Sequence, residues 1–218
     1  MIPKLIHFIW VGNKEIPKES LEFIRKWKEM YWDFDVVLWN DDRIRQFDVI
    51  PDYLKNYYND ESLSHTFRSD ISRYLILQKY GGLYFDVDFE SLRRIPDSFF
   101  HFNFLSSFED NKHVSGAFIA SQENSDILNK IIDSITSNID FVKSQNRYND
   151  SNLSEIIGPI FFTKICKEYF NRDDYFFFSS LHFYPYLYNE KHRKNENFKI
   201  TSPIAYAVHH WFDLHINF

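Results

Sequence analysis

The chain has 218 residues and an apolar fraction of 44%, which together favour one well-packed domain over the whole length. Its net charge of −6 offers no global basic field, so we expect no nucleic-acid partner. The one cysteine, Cys166, excludes an internal disulfide framework and fits a reducing cytoplasm, and no segment has the composition of a signal peptide or a membrane-spanning helix.

Strands and helices are predicted to alternate along the chain. The predicted strands are residues 5–11, 34–39, 83–89, 104–108, 117–120 and 204–211. The predicted helices are residues 17–31, a short one after Asn40, and residues 66–79, 126–141 and 158–170. Residues 145–154 and 191–197 are expected to be loops. This alternation is typical of an α/β fold whose sheet is covered by helices on both faces.

Residues 83–89, Leu-Tyr-Phe-Asp-Val-Asp-Phe, carry the most informative pattern. Apolar and polar residues alternate, so a strand would place Asp86 and Asp88 on one face, roughly 7 Å apart. Two like charges on one strand repel each other, and a divalent cation between them would remove that repulsion. The alternative is an edge strand with an acidic, solvated outer face.

Asp70 and Arg73 are three residues apart, so both project from one face of the helix that leads into this strand. The double glycine Gly81-Gly82 ends that helix and reverses the chain, which favours packing of the helix near the two aspartates. An arginine beside an acidic pair would suit a metal-bridged phosphate. The alternative is an ordinary ion pair on a solvated helix face.

Two further positions bear on a ligand site. Trp10 ends a hydrophobic strand just before a glycine turn, where ligands bind in open α/β sheets, and its ring could stack on a nucleobase or belong to the core. His209 and His210 are adjacent on a predicted strand and point to opposite faces, so at most one of them can reach a given metal. His7 alternates with apolar residues and is expected to be a buried core histidine.

Three stretches resemble glycosyltransferase family 32, which includes capsular-polysaccharide sugar transferases and yeast mannosyltransferases, and to which the glucosylating domains of large clostridial toxins are related. They are the opening residues 2–12, residues 69–88, which contain Asp-x-x-Arg, the double glycine and Asp-x-Asp in that order, and the closing residues 205–211, which end in His-His-Trp. Residues 38–41 and 158–159 are similar to lesser landmarks of the family.

The resemblance implies a GT-A fold, a single Rossmann-like nucleotide-sugar-binding domain with a mixed central sheet, and Mn²⁺ or Mg²⁺ as cofactor. By the same resemblance, Trp10 would stack on the donor base, and Asp70 and Arg73 would contact the donor sugar and diphosphate. Asp86 would hold the ribose and sugar or bind the metal through water, and Asp88 would bind the metal directly. Asp70, Arg73 and Asp86 would thus be the catalytic residues.

The resemblance also implies that Tyr84 lines the donor pocket and that His209 or His210 completes the metal shell. After His-His-Trp the chain departs from the family, which continues into a small-residue turn that ends in Ser-Trp, whereas residues 212–215 read Phe-Asp-Leu-His. Asp213 and His215 are therefore additional candidates for the group that closes over the donor.

The activity implied is a metal-dependent, retaining transfer of a hexose or N-acetylhexosamine from a nucleotide-sugar, with UDP favoured, by front-face attack. The acceptor would be a saccharide or lipid-linked saccharide in surface polysaccharide synthesis, with the protein cytoplasmic or in peripheral contact with the inner membrane. One alternative is a non-catalytic nucleotide-sugar-binding or scaffold protein. Another is a haloacid-dehalogenase-type phosphatase, against which Glu90 stands where those enzymes place Thr or Val.

Overall fold

The computed structural model describes residues 1–60, 65–144 and 157–212. In this part of the chain the strands are β1 Leu5–Ile9, β2 Asp35–Trp39, β3 Gly82–Phe85, β4 Phe89–Ser91, β5 Phe104–Phe108, β6 Val114–Ser121, β7 Tyr175–Phe178 and β8 Ala207–His209. The α-helices are α1 Lys18–Met30, α2 Asp41–Gln46, α3 Asp52–Tyr58, α4 His65–Tyr80, α5 Asp126–Ser144, α6 Pro159–Cys166 and α7 Phe198–Thr201. Short 3₁₀ segments lie at Asp97–His101, Lys167–Tyr169, Ser180–His182 and Tyr188–Asn195.

Within the described ranges, six strands form a central mixed sheet in the order β2-β1-β3-β6-β5-β7, and β4 and β8 form a separate antiparallel pair. Five strands of the large sheet run in one direction and β6 runs against them. Consequently β1, β3 and β5 end at the same edge of the sheet at which β6 begins.

Helices cover both faces of this sheet, as predicted. On one face, Trp27 of α1 packs on Phe85 of β3 with ring centroids 4.1 Å apart, within a cluster that also holds Leu83. On the other face, α4, α5 and α6 bury a cluster that contains Tyr84 and Ile119. The alternation of side chains along β3 therefore divides the core into two layers.

Two local signals in the sequence determine where elements begin and end. Asn40 caps α2, since its side-chain oxygen accepts a hydrogen bond from the backbone N–H of Arg43 at 2.9 Å. Gly81 and Gly82 have φ angles of 59° and 95°, and a Cβ on Gly82 would lie 2.8 Å from the carbonyl oxygen of Leu5. Only glycine fits there, so α4 ends and β3 begins at this pair.

The prediction of a continuous strand over residues 83–89 is wrong. β3 ends at Phe85, and a turn follows in which the backbone N–H of Phe89 donates to the carbonyl oxygen of Asp86 at 3.1 Å. The predicted strand over residues 204–211 is limited to Ala207–His209, and part of the loop predicted at 191–197 is 3₁₀ helix. α3 and β7 were not predicted, and the loop expected at residues 145–154 lies outside the described residues.

Other expectations from the sequence agree with the structure. Cys166 is buried in the core. His7 is buried as well, and its Nε2 and Nδ1 atoms lie 2.9 Å from the carbonyl oxygen of Gly81 and 3.1 Å from Nε1 of Trp39. None of the helices in the described ranges has the combination of length and apolar character needed to cross a bilayer.

Candidate active site

A cavity of about 250 Å³ opens at the edge where β1, β3 and β5 end and β6 begins. Ligands of open α/β sheets bind beyond the carboxyl ends of the strands, so this edge is the expected place for a site. Polar and aromatic side chains from several elements line the cavity: Trp10, Asp70, Arg73, Tyr84, Asp86, Asp88, Glu109, Ser115, His209 and Trp211.

The turn after β3 directs Asp86 and Asp88 into the cavity. The backbone N–H of Asp86 donates to the carbonyl oxygen of Ala117 in β6 at 2.9 Å, which fixes the start of the turn. After the turn, β4 pairs with β8, and Phe89 lies opposite His209. This pairing brings a histidine from the end of the described chain beside the two aspartates.

Asp86, Asp88 and His209 form an Asp–Asp–His cluster in which one ligand atom from each residue lies within 4.8 Å of the others. His209 Nε2 lies 3.1 Å from Asp88 Oδ1 and 3.9 Å from Asp86 Oδ2. Asp88 Oδ2 also accepts a hydrogen bond from the backbone N–H of Phe212 at 2.9 Å. Two carboxylates and an imidazole are a donor set that suits a divalent cation.

Asp88 and His209 favour each other's charged forms. Burial opposes ionisation of Asp88, but His209 and the Phe212 N–H outweigh it and keep the pKa of Asp88 below its usual range. Burial by itself would lower the pKa of His209, yet Asp88, followed by Asp86, raises it. The imidazolium form of His209 is thus favoured beside the buried carboxylate of Asp88.

His210 is not part of this cluster. Its Nε2 lies 3.2 Å from Glu90 Oε2, its Nδ1 lies 3.2 Å from the Tyr186 hydroxyl, and its ring stacks on Phe23 with centroids 5.0 Å apart. The adjacent histidines point in opposite directions, so the assignment of His210 as a metal ligand is corrected and His209 alone fits that role. Asp213 and His215 lie outside the described residues.

Arg73 projects from α4 toward the cluster and is only 8% exposed. Its Nη2 forms an ion pair with Asp70 and lies 3.5 Å from Asp86 Oδ1, while its Nη1 donates to the carbonyl oxygen of Gly116 at 2.8 Å. The guanidinium lies 4.9 Å from the centroid of the Tyr84 ring. Arg73 Nε is buried and has no hydrogen-bond partner among the described residues.

Asp70 and Tyr84 flank this arginine. Burial raises the pKa of Asp70 to about 6, with Arg73 opposing and Asp86 adding to the rise. The Tyr84 hydroxyl donates to Asp86 Oδ1 at 2.5 Å, and burial followed by the nearby acids keeps its pKa well above the ordinary value. Tyr84 therefore orients Asp86 from the sheet while Arg73 holds it from α4.

Trp10 follows β1 and forms another wall of the cavity. Its backbone N–H donates to the carbonyl oxygen of Trp39 at 2.8 Å, and its Nε1 donates to the carbonyl oxygen of Lys14 at 2.7 Å. The ring is half-buried. Of the site residues named from the sequence that lie in the described ranges, the structure thus brings all except His210 to one cavity.

The cavity is also lined by Glu109, Ser115 and Gly116, which were not predicted from the sequence as site residues. Glu109 directly follows β5, and Ser115 and Gly116 lie at the start of β6. A polar residue immediately after a predicted strand was the available signal, because ligand sites occur at the carboxyl ends of strands.

Comparison with known proteins finds a family similarity in the part of the chain that contains Asp70, Arg73, Asp86 and Asp88. Residues 17–105 match the family described as the glycosyltransferase sugar-binding region containing DXD motif. Over these residues the chain resembles the sugar-binding region of the DXD glycosyltransferases. The Asp-x-Asp of that description is Asp86-Val87-Asp88 here, and the resemblance stated from the sequence is confirmed.

Two relatives are similar to part of the chain. An uncharacterized glycosyltransferase of Acanthamoeba polyphaga mimivirus is 34% identical over 101 residues, covering 44% of this chain and 39% of that protein. Inositol phosphoceramide mannosyltransferase 3 of Schizosaccharomyces pombe is 39% identical over 94 residues, covering 40% of this chain and 24% of that protein. The matches thus span less than half of the relatives' own lengths.

The structure of PaToxG Glycosyltransferase superimposes on the chain with a TM-score of 0.60 and 20% sequence identity, over 78% of this chain and 69% of that one. At this identity the likeness concerns the fold. The predicted GT-A type fold with a mixed central sheet is confirmed.

Proposed function

We propose that this protein transfers a sugar from a nucleoside diphosphate sugar to a hydroxyl group of an acceptor, and that residues 1–218 act as a single GT-A domain. The observation that carries the proposal is the meeting of the Asp–Asp–His cluster with the Asp70–Arg73 pair in one cavity. A metal cluster beside a buried arginine is suited to the leaving diphosphate of such a reaction.

The residues present fit a divalent cation. Asp86, Asp88 and His209 would hold it, and the charge they concentrate at a buried position supports this role. Mg²⁺ prefers an all-oxygen shell, so the imidazole nitrogen favours Mn²⁺ over Mg²⁺. When bound, the cation supplies Lewis-acid stabilisation of the diphosphate.

The protein's own residues would bind and orient the donor. The ring of Trp10 would stack on the base at the end of β1, and the positive charge of Arg73 would lie beside the diphosphate. Arg73 is already fixed by Asp70 and Gly116, so little reorganisation is needed as negative charge develops on the leaving group. Tyr84 holds Asp86 in the orientation that the site requires.

In the reaction, an acceptor oxygen forms the new glycosidic bond as the bond between the sugar and the diphosphate breaks. The diphosphate takes the bonding electrons, and the acceptor hydroxyl passes its proton to an oxygen of the departing diphosphate. We further propose retention of anomeric configuration, a hexose or N-acetylhexosamine linked to UDP as donor, and a saccharide or lipid-linked saccharide of a surface polysaccharide as acceptor. These finer assignments, with a cytoplasmic location and peripheral contact with the inner membrane, rest on the resemblance to family 32.

The test is a donor and acceptor panel in Mn²⁺, followed by nucleoside diphosphate release with and without acceptor. We expect turnover with one donor, loss of turnover in EDTA, and a product whose anomeric proton coupling by NMR matches the donor. Asp86→Asn should abolish turnover, whereas the matched control Asp97→Asn, whose side chain is 68% exposed, should not change it. Binding of a nucleotide-sugar without any turnover would favour the non-catalytic alternative, and hydrolysis of an aryl phosphate would favour the phosphatase.

A further inference from the structure

Glu109 is a cavity-lining carboxylate outside the Asp–Asp–His cluster and the Asp70–Arg73 pair. It is half-buried and begins the hairpin between β5 and β6, where its backbone N–H donates to the carbonyl oxygen of His113 at 2.9 Å. Asp110 Oδ1 accepts from the backbone N–H groups of Lys112 and His113, each at 2.6 Å. These bonds fix the hairpin and hold Glu109 at the edge of the sheet.

The order of the strands places Glu109 and Trp10 on opposite sides of the metal cluster. Along the edge, β1 is followed by β3, β6 and β5, so Trp10, Asp86 and Glu109 follow the first, second and fourth of these strands. Neighbouring strands are about 4.8 Å apart, so β5 lies about 10 Å beyond β3. A nucleotide-sugar runs from base through ribose and diphosphate to sugar. With the base at Trp10 and the diphosphate at the cluster, the sugar falls on the side of Glu109.

The side chains in the part of the cavity near Glu109 suit a sugar. Glu109 and Ser115 offer carboxylate and hydroxyl oxygens, and Gly116 adds no side chain between them and Arg73. An ionised carboxylate accepts hydrogen bonds through both oxygens, a good match for two neighbouring hydroxyls of a hexose. Burial raises the pKa of Glu109, with the Ser115 hydroxyl opposing, so further hydrogen-bond donors would stabilise the carboxylate.

We propose that Glu109 binds hydroxyl groups of the transferred sugar and thereby selects donors whose sugar carries free neighbouring hydroxyls. This assignment rests on the proposed function, since it deepens the description of the same donor site. Glu109 would contribute to the affinity for the sugar but not to the affinity for the nucleoside diphosphate.

The experiment measures binding by calorimetry in Mn²⁺ and compares each nucleoside diphosphate with its nucleotide-sugar. The first pair is UDP and UDP-glucose, and the second pair is GDP and GDP-mannose. In Glu109→Ala, affinity for the nucleotide-sugar should fall about 10- to 100-fold, the range of one or two hydrogen bonds to a charged group, while affinity for the nucleoside diphosphate stays at the wild-type value. Glu109→Gln keeps one acceptor oxygen, so its affinity for the nucleotide-sugar should fall less than that of Glu109→Ala. Glu123→Ala is the matched control, because Glu123 is exposed beyond the opposite end of β6.

Three outcomes are distinguishable. An equal loss of affinity for the nucleoside diphosphate and the nucleotide-sugar would overturn the assignment and place Glu109 in support of the metal cluster. Unchanged affinity for both ligands in Glu109→Ala and Glu109→Gln would also overturn it. A wild-type protein that binds neither pair would instead contradict the proposed function itself. Circular dichroism of each variant shows whether it folds.

Discussion

Replacement of Asp88 by Asn should remove cation binding and leave the fold intact. Asp88 is 3% exposed, and its two oxygens have different partners, since Oδ1 faces His209 Nε2 at 3.1 Å and Oδ2 accepts from the Phe212 N–H at 2.9 Å. An Asn side chain keeps one oxygen for the Phe212 N–H. It cannot supply the negative charge that a cation and the imidazolium of His209 require.

The size of the effect follows from the site. Loss of one preorganised electrostatic partner lowers kcat by about 10²- to 10³-fold, or about 2.7–4 kcal/mol of transition-state stabilisation. A cation present at 100 times its Kd stabilises the wild-type protein by about 2.7 kcal/mol. For a chain of 218 residues each kcal/mol raises Tm by about 2–4 °C, so Mn²⁺ should raise the wild-type Tm by about 5–11 °C.

The assay is thermal unfolding with increasing Mn²⁺, paired with the turnover measurement. Wild type and Asp97→Asn should both show the Mn²⁺-dependent rise, and Asp88→Asn should unfold cooperatively with no rise. If Asp88→Asn retains both the full Mn²⁺-dependent rise in Tm and near-normal turnover, Asp88 does not hold the cation. Metal-free Asp88→Asn should also lower the pKa of His209, measured by NMR, because burial then acts with less opposition.

Five further substitutions test other parts of the site and its surroundings. Arg73→Lys cannot reach Asp70 and the Gly116 carbonyl together, so kcat should fall about 10²-fold with folding preserved, and an unchanged kcat would contradict the arginine's role. His209→Asn should abolish the Mn²⁺-dependent rise in Tm, whereas His210→Asn should keep it, and the reverse result would reinstate His210 as the ligand. Gly116→Ala places a Cβ 3.2 Å from Arg73 Nη1. The added methyl group should displace the guanidinium and so lower kcat. The folded pKa of Asp70 is about 6, above its ordinary 3.8, so the free energy of unfolding in EDTA should fall by about 2 kcal/mol as pH rises from 4 to 6. In urea titrations Asp70→Asn should flatten that fall.

Local signals in the sequence were sufficient for much of the scaffold. The apolar run of β1, the amphipathic face of α1, the Asn40 cap and the double glycine each act over a few residues, so their patterns predict the elements that the structure contains. α3 was missed because residues 52–58 mix polar and aromatic residues without a clear helical period. β7 was missed because its Tyr-Phe-Phe-Phe sequence does not alternate.

The details of the site depend on contacts between distant residues. The pattern at Asp86 and Asp88 fits a strand as well as a turn, and the turn is set by Ala117 and by the pairing of β4 with β8. The same pairing decides that His209, and not His210, faces the aspartates. Glu109 was missed for a similar reason, since its position in the cavity follows from the strand order of the folded sheet.

The most direct test of the central claim is an anomalous diffraction map of crystals grown with Mn²⁺ and a nucleotide-sugar. If these side chains hold the cation, the map should show one strong manganese peak within bonding distance, about 2.0–2.6 Å, of Asp88 and in contact with Asp86 and His209, directly or through water. A map with ordered nucleotide-sugar and no manganese at these three side chains would contradict it.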